Sequence, residues 1–186
     1  KPLTNMEARI ENPDEEGIGE ILLRGPSVMM GYYENEEATK KALDDEKWLH
    51  TGDFGYIDKD GYIFITGRKS DIIVLRNGKN IYPQELEFVI NKLPYVEESM
   101  VYARNKSKTD TVLGAKIVYN KDEIIAKFGK QKDYKELVWE DIKEMNKELP
   151  DYKHIKEISL TDEPLEKTTT QKVKRFVEMK KIETSK

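Results

Sequence analysis

Short apolar runs broken by turn residues fill the first third of the chain. Glu20-Ile21-Leu22-Leu23-Arg24 predicts a strand, closed by Gly25-Pro26. Asn35 is suited to cap a short helix reaching Leu43, because its side chain accepts from the first free amides. Gly55-Tyr56-Ile57 and Tyr62-Ile63-Phe64-Ile65 flank Asp58-Lys59-Asp60-Gly61, which predicts a hairpin. Ile72-Ile73-Val74-Leu75 leads into Asn77-Gly78, a second hairpin signal, since both residue types tolerate positive φ.

Beyond residue 80 the period changes. Pro83 fits a first helical turn, where its missing N–H is not needed, and Leu86, Val89, Ile90 and Leu93 recur at helical spacing. Val96 to Ala103 and Val112 to Tyr119 read as strands. Leu137, Val138, Ile142 and Met145 give residues 134–149 an amphipathic helical pattern, ended by Leu149-Pro150-Asp151-Tyr152. Ile155 to Leu160 predicts a strand and Val173 to Lys180 a last helix. The fold class expected is α+β, β-rich first and mixed afterwards. There is no internal repeat and no low-complexity linker.

Composition narrows the function. The 186 residues contain no Cys, which excludes disulfides, a Cys nucleophile and thiolate metal sites. Two His, His50 and His154, leave little room for a histidine-based metal site, so no metal site is expected. No apolar run approaches the ~18 residues that span a bilayer. The chain begins at Lys1 without a signal-peptide pattern, and a piece of a longer protein is expected. The net charge of −4 is unevenly spread: residues 1–66 carry 7 basic and 15 acidic side chains, residues 67–186 carry 25 and 21. A basic second part suits an anionic partner, although a solvated Lys-rich surface has the same composition.

Four stretches could carry chemistry. In Trp48-Leu49-His50-Thr51-Gly52-Asp53, Asp53 could offer a carboxylate at a loop tip to two adjacent sugar hydroxyls; most exposed loop Asp residues have no such role. In Gly67-Arg68-Lys69-Ser70-Asp71, Arg68 could donate a fork of hydrogen bonds to phosphate or ribose. The following turn, Arg76-Asn77-Gly78-Lys79, lets a thin ligand approach the Gly78 backbone, or is an ordinary tight turn. Glu85 and Glu87 after Pro83 complement a helix dipole. In Lys167-Thr168-Thr169-Thr170-Gln171-Lys172-Val173-Lys174-Arg175, a Lys could neutralise charge on a reacting phosphoryl group, or the stretch is a basic tail. Only Phe176 lies nearby for stacking, so nucleic acid is not the expected partner. There is no G-x-x-x-x-G-K-[ST] loop and no nucleophile–base pair for acyl hydrolysis.

Taken in order, these stretches resemble the C-terminal third of the adenylate-forming enzymes: acyl-CoA synthetases, luciferases and peptide-synthetase adenylation domains. Gly19-Glu20 through Gly31-Tyr32-Tyr33 is similar to the family's GE-strand and G-Y segment. Trp48 to Asp53 resembles Y/W-x-x-T-G-D, and Gly67 to Glu87 resembles G-R-x-x-D … G … P-x-E-[IL]-E. Leu149 to Tyr152 resembles L-P-x-Y, and Lys167 to Arg175 resembles x-x-T-x-T-G-K-[IV]-x-R. The wording around Arg68 is most similar to bacterial long-chain fatty acyl-CoA synthetases. Two departures stand out. Gln171 occupies the usual Gly position, and the span from Arg68 to Gly78 is one residue longer than the common pattern.

The resemblance implies that residues 1–68 end a large N-terminal domain, in a small β-barrel-like subdomain, and that residues 69–186 form a mixed α+β lid. It implies ATP-dependent adenylation of a fatty acid or other carboxylate, then thioester formation with CoA, with Mg2+ bound mostly by the missing N-terminal part. Lys172 would be the catalytic lysine of adenylation. Asp53 and Arg68 would bind the nucleotide. Lys69, Ser70 or Asp71 would be the hinge, and Arg76, Asn77, Gly78 and Lys79 would line the thiol channel. The fragment alone would be inactive. A carrier-protein acceptor, or a non-catalytic module that kept the lid fold, are the alternatives. A cytoplasmic setting is expected, with peripheral contact of the Lys-rich surface with anionic lipid left open.

Overall fold

The computed structural model describes residues 1–105 and 111–184. The chain divides into two compact units, Lys1–Ile72 and Ile73–Lys186.

The first unit is a four-stranded antiparallel meander, β1 (Glu7–Glu11), β2 (Gly19–Arg24), β3 (Leu49–Ile57) and β4 (Ile63–Arg68), in that spatial order. Among the described residues the sheet is antiparallel and does not close into a barrel. Four strands in sequential order are too few to curl round a filled interior, and β1 and β4 remain the sheet's two edges among the described residues. One helix, α1 (Glu36–Ala42), lies between β2 and β3 in the chain, and Asn35 caps it by accepting from the Ala38 amide at 3.0 Å. The Asp58–Gly61 turn forms as its sequence predicts. Asp58 Oδ1 accepts from the amides of Asp60 and Tyr62, and Gly61 takes φ +78°.

The core of this unit is small: Ile18, Ile21, Leu22, Leu43 and Trp48 are its buried apolar residues. Two guanidinium groups lie over the Trp48 ring, Arg9 at 4.4 Å and Arg24 at 4.5 Å. Such cation–π contacts let charged side chains cover an aromatic one at the edge of a thin core.

The second unit begins with a two-stranded hairpin, β5 (Ile73–Val74) and β6 (Asn80–Ile81). The hairpin expected at Asn77-Gly78 forms, with a three-residue loop from Arg76 to Gly78. Leu75 and Lys79 close it through the Leu75 N–H to Lys79 carbonyl bond, and the Gly78 amide bonds back to the Leu75 carbonyl. Gly78 alone takes the left-handed conformation, at φ +80°, as in a three-residue loop that ends in a glycine bulge.

Helix α2 (Pro83–Ile90) follows, then β7 (Val96–Asn105), β8 (Thr111–Tyr119), α3 (Lys121–Phe128), α4 (Lys135–Lys147), β9 (Ile155–Thr161) and α5 (Arg175–Thr184). Strands β7 and β8 are antiparallel and β8 and β9 parallel, so the chain from Asn120 to His154 is the crossover a parallel pair requires. It contains both α3 and α4. Strand β8 is central and covered on both faces, which is why Val112, Leu113, Ala115, Ile117 and Val118 are all buried.

On one face, Leu86, Ile90, Ile124, Val138 and Ile142 from α2, α3 and α4 pack on Val101, Leu113, Ala115, Ile117 and Ile155. Each fully buried Leu, Ile or Val side chain among them contributes about 1.5–3 kcal/mol. On the other face, Met100, Tyr102, Val118 and Leu165 form a second cluster, with Val173, Met179 and Ile182 packed against it. Tyr102 lies flat over Gly114, where a Cβ would come within 2.5 Å of its ring. Helix α5 starts at Arg175, two residues later than the sequence pattern suggests, because Val173 is paired with Lys167 in an antiparallel bridge.

Candidate functional site

Asp53 lies within strand β3, not at the loop tip that the sequence suggested. The T-G-D segment is a bulge in the β2–β3 ladder: Leu22 faces His50 and Glu20 faces Phe54, so one residue on β2 opposes three on β3. Thr51 builds the bulge by donating from Oγ1 to the Ile21 carbonyl at 2.7 Å and accepting from the Asp53 amide at 3.0 Å. Gly52 takes φ +70°, a conformation a side chain would strain. The result aims Asp53 across the β3–β4 ladder at Arg68, its register partner, with Arg68 Nε 2.7 Å from Asp53 Oδ1. Two candidates 15 positions apart in sequence are thus one half-exposed ion pair.

Lys69, Ser70 and Asp71 form a single 3-10 turn after β4. Lys69 Nζ reaches back to Glu20 Oε2 at 2.7 Å, and Ser70 donates from Oγ to Asp71 Oδ1 at 3.0 Å. Burial pushes the Glu20 carboxyl upward, but hydrogen bonds from Lys69, His50 and the Gly52 amide outweigh it, and the group is held below the usual range.

Glu11, Glu20 and His50 bring three ligand atoms within 4.8 Å of one another. The Lys69 ammonium already takes the Glu20 oxygen a cation would use. Oxygen donors for Mg2+ are equally spoken for at Asp53, which pairs with Arg68. These residues therefore do not fit a magnesium site, which takes near-octahedral oxygen ligands and water.

Lys172 sits on a hairpin of the second unit, closed by the Lys167–Val173 bridge. The Thr168 amide donates to the Lys172 carbonyl at 2.8 Å, and the Lys172 amide donates to Thr168 Oγ1 at 3.2 Å. Gln171, at the position where glycine is usual in the resembling family, takes φ +62°. The side chain of Lys172 is exposed, and no carboxylate pairs with it among the described residues. Its neighbours are paired: Lys167 with Glu98 at 2.6 Å and Lys174 with Glu166 at 2.9 Å.

The hairpin is fixed at both ends by groups that sequence reasoning missed. Glu178 in α5 is fully buried and accepts from the Glu166 amide at 3.0 Å, from Lys116 Nζ at 2.6 Å and from Lys181 Nζ at 2.7 Å. Burial acts to raise its pKa, yet the two ammonium groups and the amide win, and the carboxyl falls to about 2. Glu87 of α2, expected only to complement a helix dipole, accepts from Arg175 and from the Val101 amide. The signal that could have revealed it is the matching charge at the two ends of the resembling motifs, P-x-E-[IL]-E and K-[IV]-x-R.

Arg76, Asn77, Gly78 and Lys79 are all exposed on the β5–β6 loop. Asn77 Oδ1 accepts from the Lys79 amide at 3.1 Å, and Lys79 Nζ lies 4.4 Å from the centre of the Tyr152 ring. Tyr152 ends the L-P-x-Y stretch, so two of the sequence motifs meet there.

The three-stranded sheet with helices on both faces defines a small α+β domain that presents a basic hairpin. Residues 70–184 match the family described as AMP-binding enzyme C-terminal domain, and the chain belongs to that family. It is 41% identical over 157 residues to a 2-succinylbenzoate–CoA ligase of Listeria innocua, covering 84% of this chain and 30% of that one. It is 36% identical over 123 residues to the human long-chain-fatty-acid–CoA ligase ACSBG1, covering 66% and 17%. Among solved structures it is similar to Bacillus subtilis o-succinylbenzoate CoA synthetase in complex with the acyl-adenylate intermediate OSB-AMP. The TM-score is 0.75 at 31% identity, covering 95% of this chain and 34% of that one. The chain thus spans about a third or less of the length of these relatives. No helix among the described residues is long and apolar enough to cross a membrane.

Proposed function

We propose that this chain is the C-terminal part of an AMP-forming acid–CoA ligase. Residues 1–68 end the large nucleotide-binding domain and residues 69–186 are its lid. The observation that carries the reading is Lys172: an exposed ammonium without a carboxylate partner among the described residues, held on a hairpin anchored at both ends. A cation fixed in advance stabilises charge that develops on a reacting carboxylate and α-phosphate without reorganising at that moment.

Asp53 accepts from the ribose hydroxyls of ATP, and Arg68 holds it in place and offers its remaining N–H donors to ribose or phosphate. The exposed loop Arg76–Lys79 lines the thiol path of the second step, where Gly78 leaves room beside the backbone. Lys69 is tied to Glu20 in the first unit, which favours Ser70 and Asp71 as the hinge. The carboxylate is a long-chain fatty acid, with CoA as acceptor. The 41% identity to a 2-succinylbenzoate ligase supports that aromatic acid as the second reading.

The test uses the full-length parent protein and its Lys172→Ala variant, following AMP and pyrophosphate release with fatty acids and with 2-succinylbenzoate, with and without CoA. The expected result is acid-dependent AMP release, a thioester only with CoA, and at least about a 100-fold loss of adenylation in the variant. Folding stability should change by less than about 0.5 kcal/mol, since the Lys172 side chain is exposed. A carrier protein replacing CoA would reassign the acceptor. No AMP with any acid would leave only a binding module. The isolated chain should release no AMP.

A further inference from the structure

Glu20 is a buried carboxylate in the middle of the first unit, 5% exposed, on a strand whose other buried residues are apolar or glycine. Its two oxygens serve different partners. Oε1 accepts from the Gly52 amide at 3.2 Å, and Oε2 accepts from Lys69 Nζ at 2.7 Å, with His50 Nδ1 at 3.4 Å from the same oxygen. Gly52 immediately precedes Asp53, and Lys69 immediately follows Arg68. One side chain therefore holds the backbone beside each member of the Asp53–Arg68 pair.

The register gives this a mechanical meaning. The bulge frees the Gly52 amide from the regular ladder, so the carboxylate supplies an acceptor the strand partner does not. Arg68 ends β4, where no further ladder bond restrains the chain, and the Lys69–Glu20 pair replaces that restraint. Burying a charge is costly unless it is fully hydrogen-bonded, and here three donors meet it.

We propose that Glu20 is a positioning residue for nucleotide binding, which sets the distance and angle between Asp53 and Arg68 without touching the nucleotide. The inference rests on the ligase reading above. Glu20→Gln keeps an oxygen for the Gly52 amide and removes the charge that holds Lys69. Lys69→Met removes the same contact from the other side. Glu7→Gln, which breaks an exposed pair with Arg24 on the same sheet, is the control.

The measurement is the KM for ATP and for CoA, with kcat and melting temperature, in the full-length enzyme. Glu20→Gln and Lys69→Met should each raise the ATP KM by about 10-fold, leave the CoA KM within about twofold, and combine without adding, because they break one contact. Glu7→Gln should leave all four values unchanged. Unaltered ATP KM in a folded Glu20→Gln enzyme, or independent effects of the two substitutions, would overturn the positioning role while leaving the ligase reading intact. Should Glu20→Gln fail to fold, Lys69→Met decides alone: the Lys69 side chain is itself exposed, and an unchanged ATP KM there also overturns the role. A wild-type enzyme that neither binds nor consumes ATP overturns both proposals.

Discussion

Arg175, three residues beyond Lys172, sets its Nη2 at 2.7 and 2.9 Å from the two carboxylate oxygens of Glu87, 88 positions earlier in the chain. Both side chains also hold the same strand residue. Glu87 Oε1 accepts the Val101 amide at 2.8 Å, and Arg175 Nη1 donates to the Val101 carbonyl at 3.1 Å. Helix α2, strand β7 and the start of α5 are thereby fastened at one point, at the end of the chain segment that carries Lys172.

Glu87→Ala should therefore be costly. It removes the carboxylate that faces the part-buried Arg175 guanidinium and leaves the Val101 amide without its acceptor. A loss of about 3–5 kcal/mol is expected in urea denaturation of the chain. Removing both charges together, as Glu87→Gln with Arg175→Met, should cost less than the sum of the two single changes. Additive costs would mean that the pair is a surface contact of little consequence.

Stability should also depend on acid in a defined window. The Glu178 carboxyl ionises at about 2 in the folded chain against 4.5 ordinarily. A depressed folded value means its stabilisation is complete above about pH 4.5 and is lost as the pH falls toward 2. The amount is on the order of 3 kcal/mol for a shift of this size. Glu178→Gln should flatten this part of the stability–pH curve followed by circular dichroism. An unchanged curve would contradict the burial of the charge.

Gln171 bears a side chain at φ +62°. The left-handed conformation costs a non-glycine residue roughly 1 kcal/mol, and glycine's larger unfolded-state entropy offsets part of what its substitution gains. Gln171→Gly should leave the chain as stable or raise its melting temperature slightly, whereas Gln171→Val should lower it clearly. A destabilised glycine variant would show that the Gln171 side chain has a role of its own.

Several elements were legible in the order of residues because the responsible interactions are local. Asn35 caps α1 through its own following amides, Asp58 and Gly61 make their turn, and Pro83 opens α2. The apolar runs of β7 and β8 read as strands, and each face of β8 is covered by a different apolar cluster. Strand β1 and helix α3 were not anticipated. Glu-Ala-Arg-Ile-Glu has too few apolar residues for a pattern, and the α3 signals are a cap at Asn120 and Gly129 at φ +72°, with only Ile124 buried. Asp53 was misread as a loop residue because Thr-Gly-Asp is ordinarily turn chemistry. Here Thr51 and Glu20 satisfy the bulge from within the sheet.

The candidate residues themselves, Asp53, Arg68, Lys172 and the Arg76–Lys79 loop, could be chosen from the sequence, since motif spacing and residue type carry that information. The partners that hold them could not. Glu20 with Gly52 and Lys69, Glu87 with Arg175, and Glu178 with Lys116 are separated by 32 to 88 positions. A lone Glu on a strand or helix looks like any solvated charge until the chain folds. The sequence by itself determined which groups are present and the local turns and helices. Only the tertiary structure decided which charges are buried against one another, because burial and pairing at such separations depend on how strands register and which helix covers which face.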